Sequence, residues 1–145
     1  MTRYLTDTSI WSWASKAARP DIAAKLSARV AGDEVLTCVP VVLEVTHRAD
    51  SGARYEELYT THFEALDSLQ LTESASLRAL EVQRALAARS DGGHRRSPVD
   101  LLIAAIAEEH QEDDIMLWAF DDDFRIISEE TGQPVELEVS SGPGY

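Results

Sequence analysis

Cysteine, lysine and late basic residues are scarce in this chain. Cys38 is the only cysteine in 145 residues, which excludes an internal disulfide. Its setting, Val35-Leu36-Thr37-Cys38-Val39, predicts a small, buried apolar side chain. No apolar run approaches the roughly 20 residues that a membrane-spanning helix needs, so no membrane partner is expected. Met1-Thr2-Arg3-Tyr4 leads directly into a strand-like segment, so no signal peptide is expected and a cytoplasmic location is. No lysine follows Lys25. From residue 97 onward thirteen acids face a single base, Arg125, for a net charge of −12. The whole chain carries −13, so residues 1–96 are nearly balanced. Such a charge argues against simple electrostatic nucleic-acid binding. It suits either a solvated, solubilising face or an acidic surface that attracts metal and a basic partner.

What is present is an alternation of short apolar runs and helix starts. Strands are predicted at 4–6, 35–39, 69–71, 115–120 and 135–138, the last an edge strand with one wet face. Helices are predicted at 10–18, 20–30, 55–66, 72–89 and 124–130. Two more are predicted around Glu44, with Pro40 in the first turn, and from Pro98 through Ile103-Ala104-Ala105. Leu77, Leu80 and Leu86 mark the expected apolar face of the 72–89 helix. Strands alternating with helices predict an α/β sandwich around a mainly parallel sheet. The length suits one domain, expected at 1–139, with a frayed tail at 140–145.

Asp7, Glu44, Asp100 and Asp121 each stand where an apolar run gives way to a helix start. Carboxylates at strand ends of an α/β sheet can converge on one pocket. Such a pocket repels itself unless a divalent cation occupies it, and oxygen-only ligands favour Mg²⁺ or Mn²⁺. Each acid also has a structural alternative. Asp7 or Thr8 can cap the helix that follows, and so can Asp121. Ser97-Pro98-Val99-Asp100 has the form of a capping box. Glu44 can be a surface residue, although it follows Val41-Val42-Leu43, where an unpaired carboxylate is costly. His94-Arg95-Arg96 precedes the Asp100 helix and is the candidate phosphate contact; a solvated loop is its alternative. His47, His62 and His110 lack a ligand-like pattern. Trp11 and Trp13 cannot share one helix face, so one is expected in the core and the other at a partner surface.

In order along the chain, Leu5-Thr6-Asp7-Thr8-Ser9, Val41-Val42-Leu43-Glu44, His94-Arg95, Val99-Asp100-Leu101-Leu102-Ile103-Ala104-Ala105, Asp121-Asp122-Asp123-Phe124 and Thr131-Gly132-Gln133 resemble the PIN-domain ribonucleases, in particular VapC-like toxins of toxin–antitoxin pairs. The resemblance implies a PIN-like three-layer α/β/α sandwich. It implies metal-dependent endonucleolytic hydrolysis of RNA with Mg²⁺ or Mn²⁺. Asp7, Asp100 and Asp121 look like metal ligands, with Glu44 as the fourth acid and Asp123 as a further acid of the last motif. Thr8 is similar to the family's hydroxyl neighbour of the first Asp, which orients that Asp or a metal-bound water. A small antitoxin and a homodimer are the implied partners, with the 55–66 helix or Trp11 and Trp13 as apolar contacts. The 108–114 connection is longer and more acidic than the family's usual turn. Trp118-Ala119-Phe120 replaces the family's common His and Tyr.

Other readings stay open at this point. The chain can be a solitary RNA-processing nuclease or a catalytically silent interaction module. A phosphatase-like Asp nucleophile lacks its second acid two residues after Asp7, where Ser9 stands. A phospho-acceptor receiver domain lacks its late lysine.

Overall fold

Apolar runs that meet helix starts become successive strand–helix units. The computed structural model of the chain describes residues 1–89 and 96–139, with the backbone alone at 121–123. Five strands, β1 (Arg3–Thr6), β2 (Val35–Cys38), β3 (Ser68–Leu69), β4 (Ile115–Phe120) and β5 (Val135–Glu138), form one sheet in the order β3-β2-β1-β4-β5. All four pairings are parallel. The chain steps outward from β1 through β2 to β3, then returns to the other side of β1 for β4. A crevice therefore opens at the carboxyl ends of β1 and β4, where sheets of this kind hold ligands. The expected tail at 140–145 lies outside the described residues. No helix among the described residues is long and apolar enough to cross a membrane.

The helices are α1 (Thr8–Ala14), α2 (Pro20–Ala31), α3 (Val39–Thr46), α4 (Gly52–His62), α5 (Glu73–Ala87), α6 (Pro98–Glu109) and α7 (Asp121–Thr131). Several boundaries differ from the sequence reading, and capping explains them. Asp7 accepts from the Ser9 amide at 3.2 Å, so α1 starts earlier than expected. Ser51 accepts from the Arg54 amide at 3.1 Å and starts α4 before Tyr55. Thr72 caps α5 as its position predicts, accepting from Ala75 N at 3.0 Å. Ser97 takes the N-cap position of α6 without a side-chain cap bond. Gly132 ends α7 at φ +74°, a left-handed conformation that glycine adopts without steric cost.

Side chains alternate across a strand, so Met116, Trp118 and Phe120 share one face of β4. Phe120 stacks on Trp13 of α1 at 5.4 Å, and the Trp118 ring lies beneath Arg29 of α2. That face is the α1–α2 side; α5, α6 and α7 pack together as the other layer. Leu5, Ile103, Ile106, Leu117 and Trp118 are almost completely buried. Each such aliphatic side chain contributes about 1.5–3 kcal/mol of transfer free energy.

Two apolar expectations change. The inward stripe of α5 is Ala75, Ala79, Val82 and Leu86, while Leu77 and Leu80 are 55% and 59% exposed. Small residues let α5 lie close to α6, and the leucines are turned outward. The expected wet face of β5 is covered. Arg29 Nη1 is 2.6 Å from Glu136 Oε2 and its guanidinium lies 3.8 Å from the Tyr4 ring centroid. Lys25 pairs with Glu136 at 3.2 Å and also with Glu138. Arg19 holds Asp21 by two bonds of 3.0 Å and donates to the Val139 carbonyl at 2.6 Å. Burial alone would raise the Glu136 carboxyl. The hydrogen bond and charge of Arg29, with Lys25, outweigh it and hold Glu136 below its ordinary value.

Candidate active site

Two of the acids read from the sequence, Asp7 and Glu44, meet around Thr8 at the carboxyl end of the sheet. Asp7 follows β1 directly, and its amide donates to the Trp118 carbonyl at 3.1 Å, tying it to β4. Asp7 is 3% exposed, and its two carboxylate oxygens lie 2.6 Å and 2.8 Å from the Ser9 hydroxyl, which donates to them. Capping and site membership are thus compatible for Asp7. Asp100 lies in the first turn of α6 and is 8% exposed. Buried carboxylates in a largely apolar setting are costly unless charge or hydrogen bonds compensate.

Glu44 is half-buried on α3, the helix that follows β2. Its Oε1 accepts from the Thr8 hydroxyl at 2.5 Å. That bond brings the neighbour of the first Asp against the second acid, from two different βα units. A cavity of about 570 Å³ opens over the pair. Thr8, Leu43, Glu44, His47 and Arg48 line it on one side, with Val99 and Leu102, which flank Asp100, on the other. Asp121 and Asp123 lie in the first turn of α7, at the end of β4, the strand that pairs with β1. Their side chains lie outside what the structure describes. Among the described residues no group of three His, Cys, Asp or Glu side chains forms a ready metal set. The donor chemistry nonetheless suits a hard cation, because the acids at this end of the sheet offer oxygen alone.

His94 and Arg95 of the expected phosphate contact lie outside the described residues, and Arg96 is half-buried just before α6. The acidic 108–114 connection is absorbed by local partners. Arg78 donates to Glu108 at 2.7 Å, Thr72 donates to Glu109 at 2.7 Å, and His110 meets Asp113 at 3.3 Å. Trp11 is core, donating to Thr6 Oγ1 at 2.9 Å and packing on Phe63 and His62. Trp13 is partly buried between Phe120 and the Lys16 ammonium, 3.9 Å from its ring. The more exposed aromatics are Tyr55 and Tyr59 of α4, 41% and 38% exposed.

Sequence reasoning passed over a second cavity, of about 210 Å³, on the other side of Thr8. Ser12, Ser15, Arg48, Arg54 and His62 line it. Thr8, Ser12 and Ser15 recur at helical spacing, a polar stripe along α1 that could have signalled it. Burial, and secondarily the charge of Arg54, hold the His62 imidazole below its ordinary value.

Comparison with known proteins agrees with this arrangement. The PIN domain family model matches residues 4–130. Ribonuclease VapC18 of Mycobacterium tuberculosis is 32% identical over 96% of this chain and 97% of its own. Ribonuclease VapC51 of the same organism is 35% identical over 97% and 96%. Among solved structures, FitAB bound to an IR36 DNA fragment superposes with a TM-score of 0.67 at 15% identity, covering 98% of each chain. DNA-bound VapBC from Salmonella typhimurium superposes at 0.64 with 14% identity, covering 96% of this chain and 98% of that one. The two structures share the fold; the sequence relatives carry the kinship. The order of strands, the acids at the carboxyl end of β1 and these relatives agree, and the chain belongs to the PIN-domain family, among its VapC-type nucleases.

Proposed function

We propose that this protein hydrolyses RNA phosphodiester bonds endonucleolytically with Mg²⁺ or Mn²⁺, as the toxin of a toxin–antitoxin pair. The observation that carries the reading is the Thr8–Glu44 hydrogen bond beside the buried Asp7, at the carboxyl end of the sheet. Asp7, Asp100 and Asp121 would hold the cation, with Asp123 as a further acid. When bound, the cation would supply Lewis-acid stabilisation of phosphate charge and make an attacking water more acidic. Glu44, fixed by Thr8, would orient that water and take up its proton. Ser9 holds the Asp7 carboxylate from behind and limits its rotation. His94, Arg95 and Arg96 would contact substrate phosphate ahead of the Asp100 helix.

The partners follow from kinship and surface. A small antitoxin with a basic segment would neutralise the acidic crevice, and Tyr55 and Tyr59 offer exposed aromatic area for docking or for a homodimer contact. The test is cleavage of RNA by purified protein with and without divalent metal. Asp7→Asn or Asp100→Asn should abolish it. Equal cleavage by wild type and both variants sinks the assignment. The gene context separates a toxin from a solitary RNA-processing nuclease: an adjoining frame for a small DNA-binding protein that forms a complex and relieves growth arrest supports the first.

A further inference from the structure

We infer that the cavity between α1, α3 and α4 is a second substrate subsite, in which Arg48 and Arg54 hold an RNA phosphate next to the one being cleaved. The inference rests on the ribonuclease reading above and names a part of its substrate path. Arg48 lines both cavities that meet at Thr8. Among the described residues it is therefore the one arginine or lysine that lines both the acidic crevice and the smaller chamber. Among the described residues most guanidinium groups lie against carboxylates, as those of Arg3, Arg19, Arg29 and Arg78 do. Arg48 is exposed and has no carboxylate within ion-pair distance among the described residues; its hydrogen-bond contact is Ser12 Oγ at 3.5 Å. Arg54 enters from the first turn of α4, with its Nη1 2.8 Å from the exposed Glu57.

The rest of the chamber fits the same ligand. Ser12 accepts from Arg48 and keeps its own hydroxyl proton to donate, while the Ser15 hydroxyl is donated to the Ser12 carbonyl at 2.7 Å. One neutral hydroxyl beside two guanidinium groups suits an anion with several acceptor oxygens. The His62 ring packs on Trp11 at 5.2 Å and forms one wall. At about 210 Å³ the chamber lies below the roughly 300 Å³ at which whole small-molecule sites begin. It takes a piece of a polymer, a phosphate with part of its sugar, better than a free nucleotide. Electrostatics supply the need. The crevice carries carboxylates, so a polyanion approaching it requires cations close by, and Arg48 and Arg54 line the same cavity as Thr8.

The test separates this subsite from the nuclease chemistry. Binding of a labelled pool of random-sequence single-stranded RNA is followed by anisotropy in chelator, where no cleavage occurs. Arg48→Ala and Arg54→Ala should each weaken binding about tenfold and reduce the salt dependence, as expected for a lost charge-assisted contact. With metal, KM should rise by a similar factor while kcat stays close to wild type. Arg48→Lys should keep the salt dependence but recover only part of the affinity, since it lacks the guanidinium fork. Thermal melts confirm folding, and Arg54, 49% exposed in its side chain, provides a variant with little structural role. Unchanged binding and KM in both alanine variants overturns the subsite while leaving metal-dependent cleavage, and its loss in Asp7→Asn, intact. Wild type that binds no RNA also overturns it. RNA binding that is normal in variants which escape neutralisation by an antitoxin overturns it in favour of a peptide carboxylate.

Discussion

The Thr8 hydroxyl donates to Glu44 Oε1 at 2.5 Å, joining the first turn of α1 to α3. If Glu44 orients the attacking water, this bond sets the direction of its free oxygen. Thr8→Val keeps the shape and removes the donor. We expect RNA cleavage to fall by about 10–100-fold, the usual cost of losing an orienting partner, with Thr8→Ser close to wild type. Steady-state rates at saturating metal decide it; a fully active Thr8→Val variant would remove Thr8 from the machinery.

Asp7 serves both as helix cap and as candidate ligand, and two substitutions separate these roles. Asn retains an oxygen for the Ser9 amide, whereas Ala does not. In chelator, Asp7→Ala should be about 1 kcal/mol less stable than Asp7→Asn in urea melts. Asp7→Asn should match or exceed wild type, because one of several like charges is gone. Added Mg²⁺ or Mn²⁺ should stabilise wild type more than either variant, since a ligand that binds the folded state raises its stability. A lower chelator stability for Asn than for Ala would contradict the capping geometry.

Stability should fall in acid through the β5 clamp. Glu136 is held below its ordinary value of 4.5. The folded state therefore binds fewer protons than the unfolded one at that carboxyl, so the contribution is present above pH 4.5. It is lost as pH falls through the lower, folded value. Glu136→Gln should be less stable than wild type at neutral pH and should show a flatter stability profile below pH 4.5. Parallel profiles for the two proteins would show that Arg29 and Lys25 do not hold this carboxylate.

Cys38 should be inert. Burial pushes its thiol up to about 11, so almost no thiolate exists at neutral pH. A chromogenic disulfide reagent should react only as fast as the native fold opens, and at once in denaturant. Rapid labelling of folded protein would mean that the β2–α3 junction is open to solvent.

Much of the molecule is written locally. The run Ile115 to Phe120 reads as a strand and is one, buried throughout except for the half-buried Met116, and Pro40 marks the first turn of α3 as its ring geometry requires. The position of Asp7 at a strand-to-helix junction was also legible, because strand period and cap are short-range signals. Glu44 instead lies near the end of α3, and Asp100 lies in the first turn of α6, whose preceding described element is helix α5 rather than a strand. What escaped was long-range. Glu136 and Glu138 alternate with apolar residues, which locally reads as a solvated edge; their cations come from α2, with Arg29 lying 107 residues earlier. Leu77 and Leu80 have helical spacing, but close approach of α6 selects the alanines for the inward side. No local pattern singles out Arg48, which follows α3. Its setting depends on how α1, α3 and α4 are arranged around one chamber, which no local pattern encodes.

β1 is paired on one side with β4, Thr6 opposite Trp118. The first acid of the crevice, whose amide donates to the Trp118 carbonyl, is therefore anchored to a strand that is synthesised long after it. Synthesis at roughly 5–20 residues per second leaves a nascent chain that has made Asp7, Glu44 and Asp100 without the strand that holds Asp7 in place. On the ribonuclease reading proposed above, a growing polypeptide of this design should stay chemically silent until β4 is translated, and a fragment that stops before Ile115 should leave the RNA around it uncut.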